Sequence, residues 1–127
     1  MKRFFAIALT IFACLASEAQ SSYGYIYPKR EVRAVWLTTI GGLDWPHTYA
    51  QSDASVKKQQ QELKTLLDTY QRAGINTVLL QTRIRGTVIY PSQYEPWDGC
   101  LSGAPGRSPK YDALQFAIDE THKRGME

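Results

Sequence analysis

Gln81, Arg83, Tyr90, Tyr94, Glu95, Trp97 and Asp98 fall within one stretch, QTRIRGTVIYPSQYEPWDG (81–99). A shorter group, Asp44, Trp45 and His47, lies in IGGLDWPHTYAQSDAS (40–55). Planar forks such as arginine and carboxylate fix the orientation of a polar ligand, and aromatic rings supply contact area at low entropic cost. Saccharides offer both counterparts, C–H faces for the rings and hydroxyls for the polar groups. Trp36, Trp45, Tyr90, Tyr94 and Trp97, interleaved with Asp44, Gln81, Arg83, Glu95 and Asp98, therefore suit a sugar, although the same mixture suits a protein-binding patch.

Each residue also has a structural reading. Gln81 and Arg83 alternate at a strand end, where they either face a ligand or form a buried polar pair that satisfies loop carbonyls. Asp44, before Trp-Pro, is a turn residue as readily as an acid. Glu95 precedes Pro96 and serves structure, hydroxyl binding or acid–base chemistry. Trp36 lies inside an apolar run and reads as core rather than platform. Cys100 has no adjacent base to make it a nucleophile. His122 stands at a helix end, where it complements the dipole. His47 and His122 are the only histidines, are far apart and form no metal-ligand spacing, so no metal or other cofactor is expected.

The elements that position these groups are legible in the hydrophobic period. Residues 32–39 (VRAVWLTT) and 76–83 (NTVLLQTR) are short, β-branched and mostly apolar, the pattern of strands buried on both faces. Between them, Val56, Leu63, Leu66, Leu67 and Tyr70 recur at helical spacing over about 54–73. Ser52 or Asp53 is placed to cap that helix, and Gly74 to end it. A second helix is predicted from Asp112, with Asp112 and Gln115 at capping-box spacing and Gly125 after its end. YQRAGIN (70–76) and THKRGME (121–127) are alike, each a helix passing through Arg and Gly into a strand. Two chemistry-bearing loops follow the strands, at 39–53 and at 84–111. The second is too long for an idle connection, too aromatic for disorder, and expected to lack regular structure.

Strand, helix, strand, helix and the start of a third strand describe an α/β chain with a parallel sheet. A (β/α)8 barrel, whose function collects after the strands' C-terminal ends, is the first expectation. A doubly wound sheet is second, since no glycine-rich phosphate fingerprint follows either strand. Two units cannot cover both faces of such a sheet. Residues 32–127 are therefore expected to be the N-terminal fragment of a barrel, truncated before strand three, and alone to be poorly folded and inactive.

The first 19 residues resemble a secretory leader: Lys2 and Arg3, an apolar run from Phe4 to Leu15, then Ser17 and Ala19 before a cut. Lipid attachment at Cys14, in IFAC, is the alternative and the only membrane contact expected. Either route places the protein outside the cytoplasm, secreted or periplasmic, or as an outer-membrane lipoprotein. Residues 20–31 form a lead-in. Removing Lys2, Arg3 and Glu18 changes the net charge from +3 to +2. No basic stripe is left to favour nucleic acid. Of the two cysteines only Cys100 remains, so no internal disulfide forms.

REVRAVWLTTIGGLDWP (30–46), LLDTYQRAGINTVLLQTRIRGTVIYPSQYEPW (66–97) and YDALQFAIDETHKRGME (111–127) together resemble the bacterial family-10 glycosylhydrolase-like proteins. DWP, Q-x-R, YPS-x-YEPW and HKRGME, in that order, carry the resemblance. It implies a secreted or envelope (β/α)8 barrel that hydrolyses O-glycosyl bonds in a polysaccharide or cell-wall glycan. It implies substrate contacts at Asp44, Trp45, Gln81, Arg83, Tyr90, Tyr94, Glu95 and Trp97. The catalytic carboxyl pair that glycoside hydrolysis needs would come from later strands, so no catalytic residue is assigned here. IRGTVIYPS departs from members with an acidic residue before the aromatic-Pro-Ser portion, so a role for that acid does not transfer. A non-catalytic glycan-binding envelope protein on the same barrel is the alternative, and a protein-interaction module is a third.

Overall fold

The structure is a computed structural model that describes residues 31–127, of which Val32–Glu127 form one compact unit. The leader, Cys14 and the lead-in as far as Arg30 lie outside the described residues. Strand β1 (Ala34–Leu37) leads through a short 3-10 turn (Ile40–Gly42) and a loop to helix α1 (Asp53–Arg72). Strand β2 (Thr77–Leu80) follows, then a small hairpin of β3 (Arg83–Ile84) and β4 (Thr87–Val88). A one-turn helix α2 (Gly99–Ser102) and helix α3 (Ala113–His122) complete the order.

β1 and β2 pair in parallel, with Trp36 opposite Leu79 and Leu37 opposite Leu80. Because side chains alternate across a strand, Leu37, Val78 and Leu80 go to one face. That face packs on Leu63 and Leu67 of α1 and Ala113 and Ala117 of α3. The opposite face has no partner among the described residues: Trp36 is 62% and Leu79 47% exposed. Trp36, expected in the core, therefore lies on that face, as alternation from buried Leu37 requires.

α1 begins where Ser52 accepts from Ser55 N and Ser55 Oγ accepts from Ser52 N, a reciprocal cap at 3.2 and 2.8 Å. α3 has only half of its expected box. Asp112 accepts from Gln115 N at 3.0 Å, while the Gln115 amide donates forward to Asp119. The turn after α3 is fastened to the end of α1, because Arg124 reaches Asp68 at 2.7 Å and Glu120 at 2.9 Å, and Gln71 donates to Arg124 O. Gly125 (φ 69°) then reverses the chain, as Gly74 (φ 77°) does after α1. Glu127 N donates to Asn76 O at 2.9 Å and Val78 N to Glu127 O at 2.6 Å. This is the alternation of a parallel ladder, laid along the edge of β2 that β1 does not use. The expected α/β order is thus present, with a third chain segment entering beside β2.

The long loop is not structureless. Arg85 (φ 50°) and Gly86 (φ 74°) make a two-residue turn with both residues left-handed, which closes the hairpin. Trp97 then bridges Val88, and Asp98 caps α2 by accepting from Cys100 N at 2.7 Å. Backbone pairing within residues 83–102 replaces the irregular run expected from composition.

Candidate functional site at the strand ends

The C-terminal ends of β1 and β2 are joined by a polar knot centred on Gln81. Its backbone N–H donates to Leu37 O at 2.9 Å, continuing the ladder one residue past β2. Its carbonyl accepts from Thr39 Oγ1 at 3.0 Å. Its side-chain Oε1 accepts from Thr38 Oγ1 at 2.5 Å, Thr39 N at 3.1 Å and Ile40 N at 3.2 Å. Gln81 thus satisfies loop N–H donors, not the loop carbonyls that one sequence reading supposed. Asp44 folds back on the same turn, and its Oδ2 accepts from Thr38 N at 2.8 Å. Asp44 therefore ties off the edge of β1 beyond its last paired residue.

Arg83 and Glu95 form a fork across the start of the second loop, with Arg83 Nε 2.7 and 2.8 Å from the two carboxylate oxygens and Nη2 2.5 Å from one. The hydrogen bond from Arg83, against some desolvation, holds the Glu95 carboxyl below its ordinary value, and Glu95 raises Arg83 in turn. Ser92 Oγ accepts from Tyr94 N at 3.1 Å and Glu95 N at 3.2 Å, which sets the bend carrying both. Tyr94 projects from that bend almost wholly exposed (94%), the posture of a ring offered to a partner. Tyr90 is half-buried, and Trp97 packs partly against the core.

Trp45 is a correction. It has no exposed surface, and its Nε1 donates to Gln59 O at 3.0 Å. It packs the first loop onto α1 and has no face for a ligand; the Trp45–Pro46 bond that follows is cis. Cys100 is buried, and burial together with neighbouring Asp98 pushes its thiol well up, which suits packing and not nucleophilic attack. Burial works to raise Asp98, but bonds from the Thr87 hydroxyl and Cys100 N outweigh it and lower the carboxyl.

Two cavities adjoin the loops. One, of about 410 Å³, lies between the first loop and α1 and is lined by Asp44, His47, Lys58, Glu62 and Leu66 among others. Glu62 is already engaged there by His47 N at 3.0 Å, Thr48 N at 3.2 Å and the Thr48 hydroxyl. The other, of about 390 Å³, is bounded by Tyr49, Arg85, Thr87, Asp98 and Cys100. Of the eight predicted contacts only Asp44 lines either cavity. Gln81, Arg83, Glu95 and Tyr94 sit instead on the strand end and the rim. Among the described residues, no three His, Cys, Asp or Glu gather as metal ligands.

Sequence reasoning missed Thr38, Thr39, Tyr49 and Arg85. Only Arg85 left a signal, the Arg-Gly pair between β-branched residues that marks a tight hairpin.

Residues 31–127 match the family described as Glycosyl hydrolase-like 10. The chain belongs to this family. It is 45% identical over 98 residues to "Glycosyl hydrolase YngK" of Bacillus subtilis (strain 168), an overlap of 77% of this chain and 19% of that protein. It is 42% identical over 99 residues to "Glycosyl hydrolase DigH" of Escherichia coli (strain K12), covering 75% of this chain and 23% of that one. The chain thus spans about a fifth of the length of these relatives. The family match begins at Glu31, one residue before the compact unit, so the strand ends and both loops lie inside it.

Proposed function

We propose that residues 32–127 are the opening two β/α units of a (β/α)8 glycoside hydrolase that acts on a complex glycan outside the cytoplasm. In this reading residues 1–19 are a secretory leader, with Cys14 as the alternative lipid site. The observation that carries the proposal is the parallel register of β1 and β2, with Asp44, Gln81, Arg83, Glu95 and Tyr94 all on the C-terminal side of the strands. In β/α barrels that side holds the substrate. The Arg83–Glu95 fork and the Tyr94 ring provide polar and stacking contacts for sugar units, and Gln81 and Asp44 line the strand ends.

Cleavage needs a carboxyl acid and a second carboxylate, about 5–9.5 Å apart across the scissile bond. Near the strand ends, Asp44 and Glu95 are each held by a backbone or arginine partner. The catalytic pair is therefore assigned to other elements of the full barrel. The test is release of new reducing ends from cell-wall glycan and other polysaccharides by the full-length protein, with binding measured alongside. Binding with release supports the hydrolase. Binding without release supports a glycan-binding protein on the same scaffold, a reading favoured by the engagement of both carboxylates. Absence of both refutes the glycan reading.

A further inference from the structure

The cavity of about 390 Å³ between the two loops takes both of its walls from described residues, so its shape is set locally. Ala50 N donates to Leu101 O at 2.7 Å, and the Gln51 side-chain amide donates to Ser102 O at 3.2 Å. These bonds fasten the first loop to the second beside the cavity. Tyr49, the residue before them, lies against Gly103. A Cβ at Gly103 would come 3.1 Å from Tyr49 Cγ and Cδ2, so glycine is what lets the ring sit this close. The ring is braced on that side, yet Tyr49 is 54% exposed.

The second loop contributes Arg85, at the first position of the hairpin turn, with φ 50°. A left-handed backbone there favours Asn, Asp or Gly, and an arginine is strained in it. The side chain, and not the turn, therefore explains the residue. Among the described residues its guanidinium makes no hydrogen bond and no ion pair. Asp98, the acid lining the cavity, feels that positive charge but has both oxygens engaged, Oδ1 by Cys100 N at 2.7 Å and Oδ2 by the Thr87 hydroxyl. A vacant planar fork that shares a cavity with an exposed ring suits a carboxylate carried on a cyclic ligand. A dianionic phosphate would set its second charge against Asp98, whereas a carboxylate places its single charge on the fork.

We propose that this cavity binds an acidic saccharide, with the Arg85 guanidinium paired to its carboxylate beside the Tyr49 ring. The inference rests on the glycan reading above. It adds a charge to the ligand and a site apart from Gln81 and the Arg83–Glu95 fork. A neutral sugar offers Arg85 only hydroxyls, so the cavity selects by charge.

The probes are tetragalacturonate and a hyaluronan tetrasaccharide, with cellotetraose and chitotetraose as neutral comparators, titrated calorimetrically into the full-length protein. At least one acidic probe is expected to bind at least about fivefold more tightly than either neutral one. That preference should fall as salt is raised, because the pair is exposed to screening. Arg85→Asn removes the cation and keeps the turn, since Asn-Gly is the pair that a two-residue hairpin favours, so its melting temperature should hold or rise. It is expected to lose at least about fivefold in affinity for the acidic probe, with affinity for neutral probes unchanged. A smaller preference, a preference that salt leaves unmoved, or a smaller loss in Arg85→Asn overturns the inference, and leaves the glycan reading standing wherever any probe binds. Binding of none of the four probes overturns the glycan reading, and this inference with it.

Discussion

Gln59 is the residue whose loss should most clearly separate the two loops from the helix that carries them. It is fully buried, and its Nε2 donates to Thr48 O in the first loop at 2.5 Å and to Leu101 O in the second at 2.9 Å. Its Oε1 accepts from Tyr111 OH at 2.5 Å. In Gln59→Leu, Leu101 O keeps its bond from Ala50 N at 2.7 Å, so two groups are orphaned, Thr48 O and the Tyr111 hydroxyl. Each stranded polar group costs about 1–3 kcal/mol. The added apolar burial returns about 1–2 kcal/mol. The expected net loss spans about 0–5 kcal/mol and centres on about 2.5, a large share of the ~5–15 kcal/mol typical of a domain. Urea denaturation of the full-length protein, followed by tryptophan fluorescence, measures it. Gln61→Leu, on the exposed side of α1, is the control and should change stability by less than about 0.5 kcal/mol. A Gln59→Leu midpoint and slope equal to those of the control would refute the claim that one amide staples both loops.

Four further outcomes are expected. Tyr94→Ala should weaken glycan binding while leaving the melting temperature within a degree or two, since the ring is 94% exposed; unchanged affinity removes Tyr94 from the site. Carboxyl NMR should find Glu95 titrating below its ordinary value of 4.5 because Arg83 holds the ionised form. A depressed folded value means that whatever the pair adds to the loop is present above about pH 4.5 and is lost as pH falls through the folded value; a midpoint at or above 4.5 contradicts the fork. Ser52→Ala should cost about 1 kcal/mol by removing the cap of α1, measured by the same urea titration, and no change would mean the reciprocal Ser52–Ser55 bonds carry nothing. Cys100 should react with a thiol reagent at pH 8 far more slowly than a free thiol until denaturant is added; rapid labelling of the folded protein would contradict its burial and raised thiol.

The β/α order was readable because it rests on period and punctuation. Leu63 and Leu67 recur at helical spacing, and Gly74 and Gly125 mark reversals that only a left-handed backbone makes easily. The polar ties were not readable, because they depend on which loop folds back on which helix. Nothing in DWPH distinguishes a tryptophan that turns outward from one that donates to Gln59 O across 14 residues. Trp36 is a different case. An unbroken apolar run predicts burial on both faces, but burial of the second face needs partners that the described residues do not supply. Gln81 was legible as a polar residue at a strand end, whereas the polarity of its outward group came only with the positions of Thr38, Thr39 and Ile40.

The distribution of paired and unpaired groups argues for holding over cleaving in these two loops. General acid–base catalysis uses carboxyls whose pKa values are pushed apart, one of them upward, by burial or by each other. Glu95 and Asp98 are instead both moved downward by donors, and Glu120, held by Lys123 and Arg124, follows the same pattern on α3. Such carboxylates stay ionised near neutral pH and keep their donors in place. Glu95 and Asp98 brace the second loop, while Glu120 ties α3 to the end of α1 through Arg124. Beside these loops the strand end carries the Gln81 amide, which neither supplies nor takes a proton, and the second loop carries the exposed Tyr94 ring. On the reading proposed above, the carboxyl pair that cleavage needs would lie outside residues 32–127. Placing such a pair requires that Gln81→Glu change affinity for the saccharide more than it changes the pH profile of its hydrolysis. A shifted pH optimum in that variant, with affinity unchanged, would instead put residue 81 beside the reacting proton and reverse the assignment.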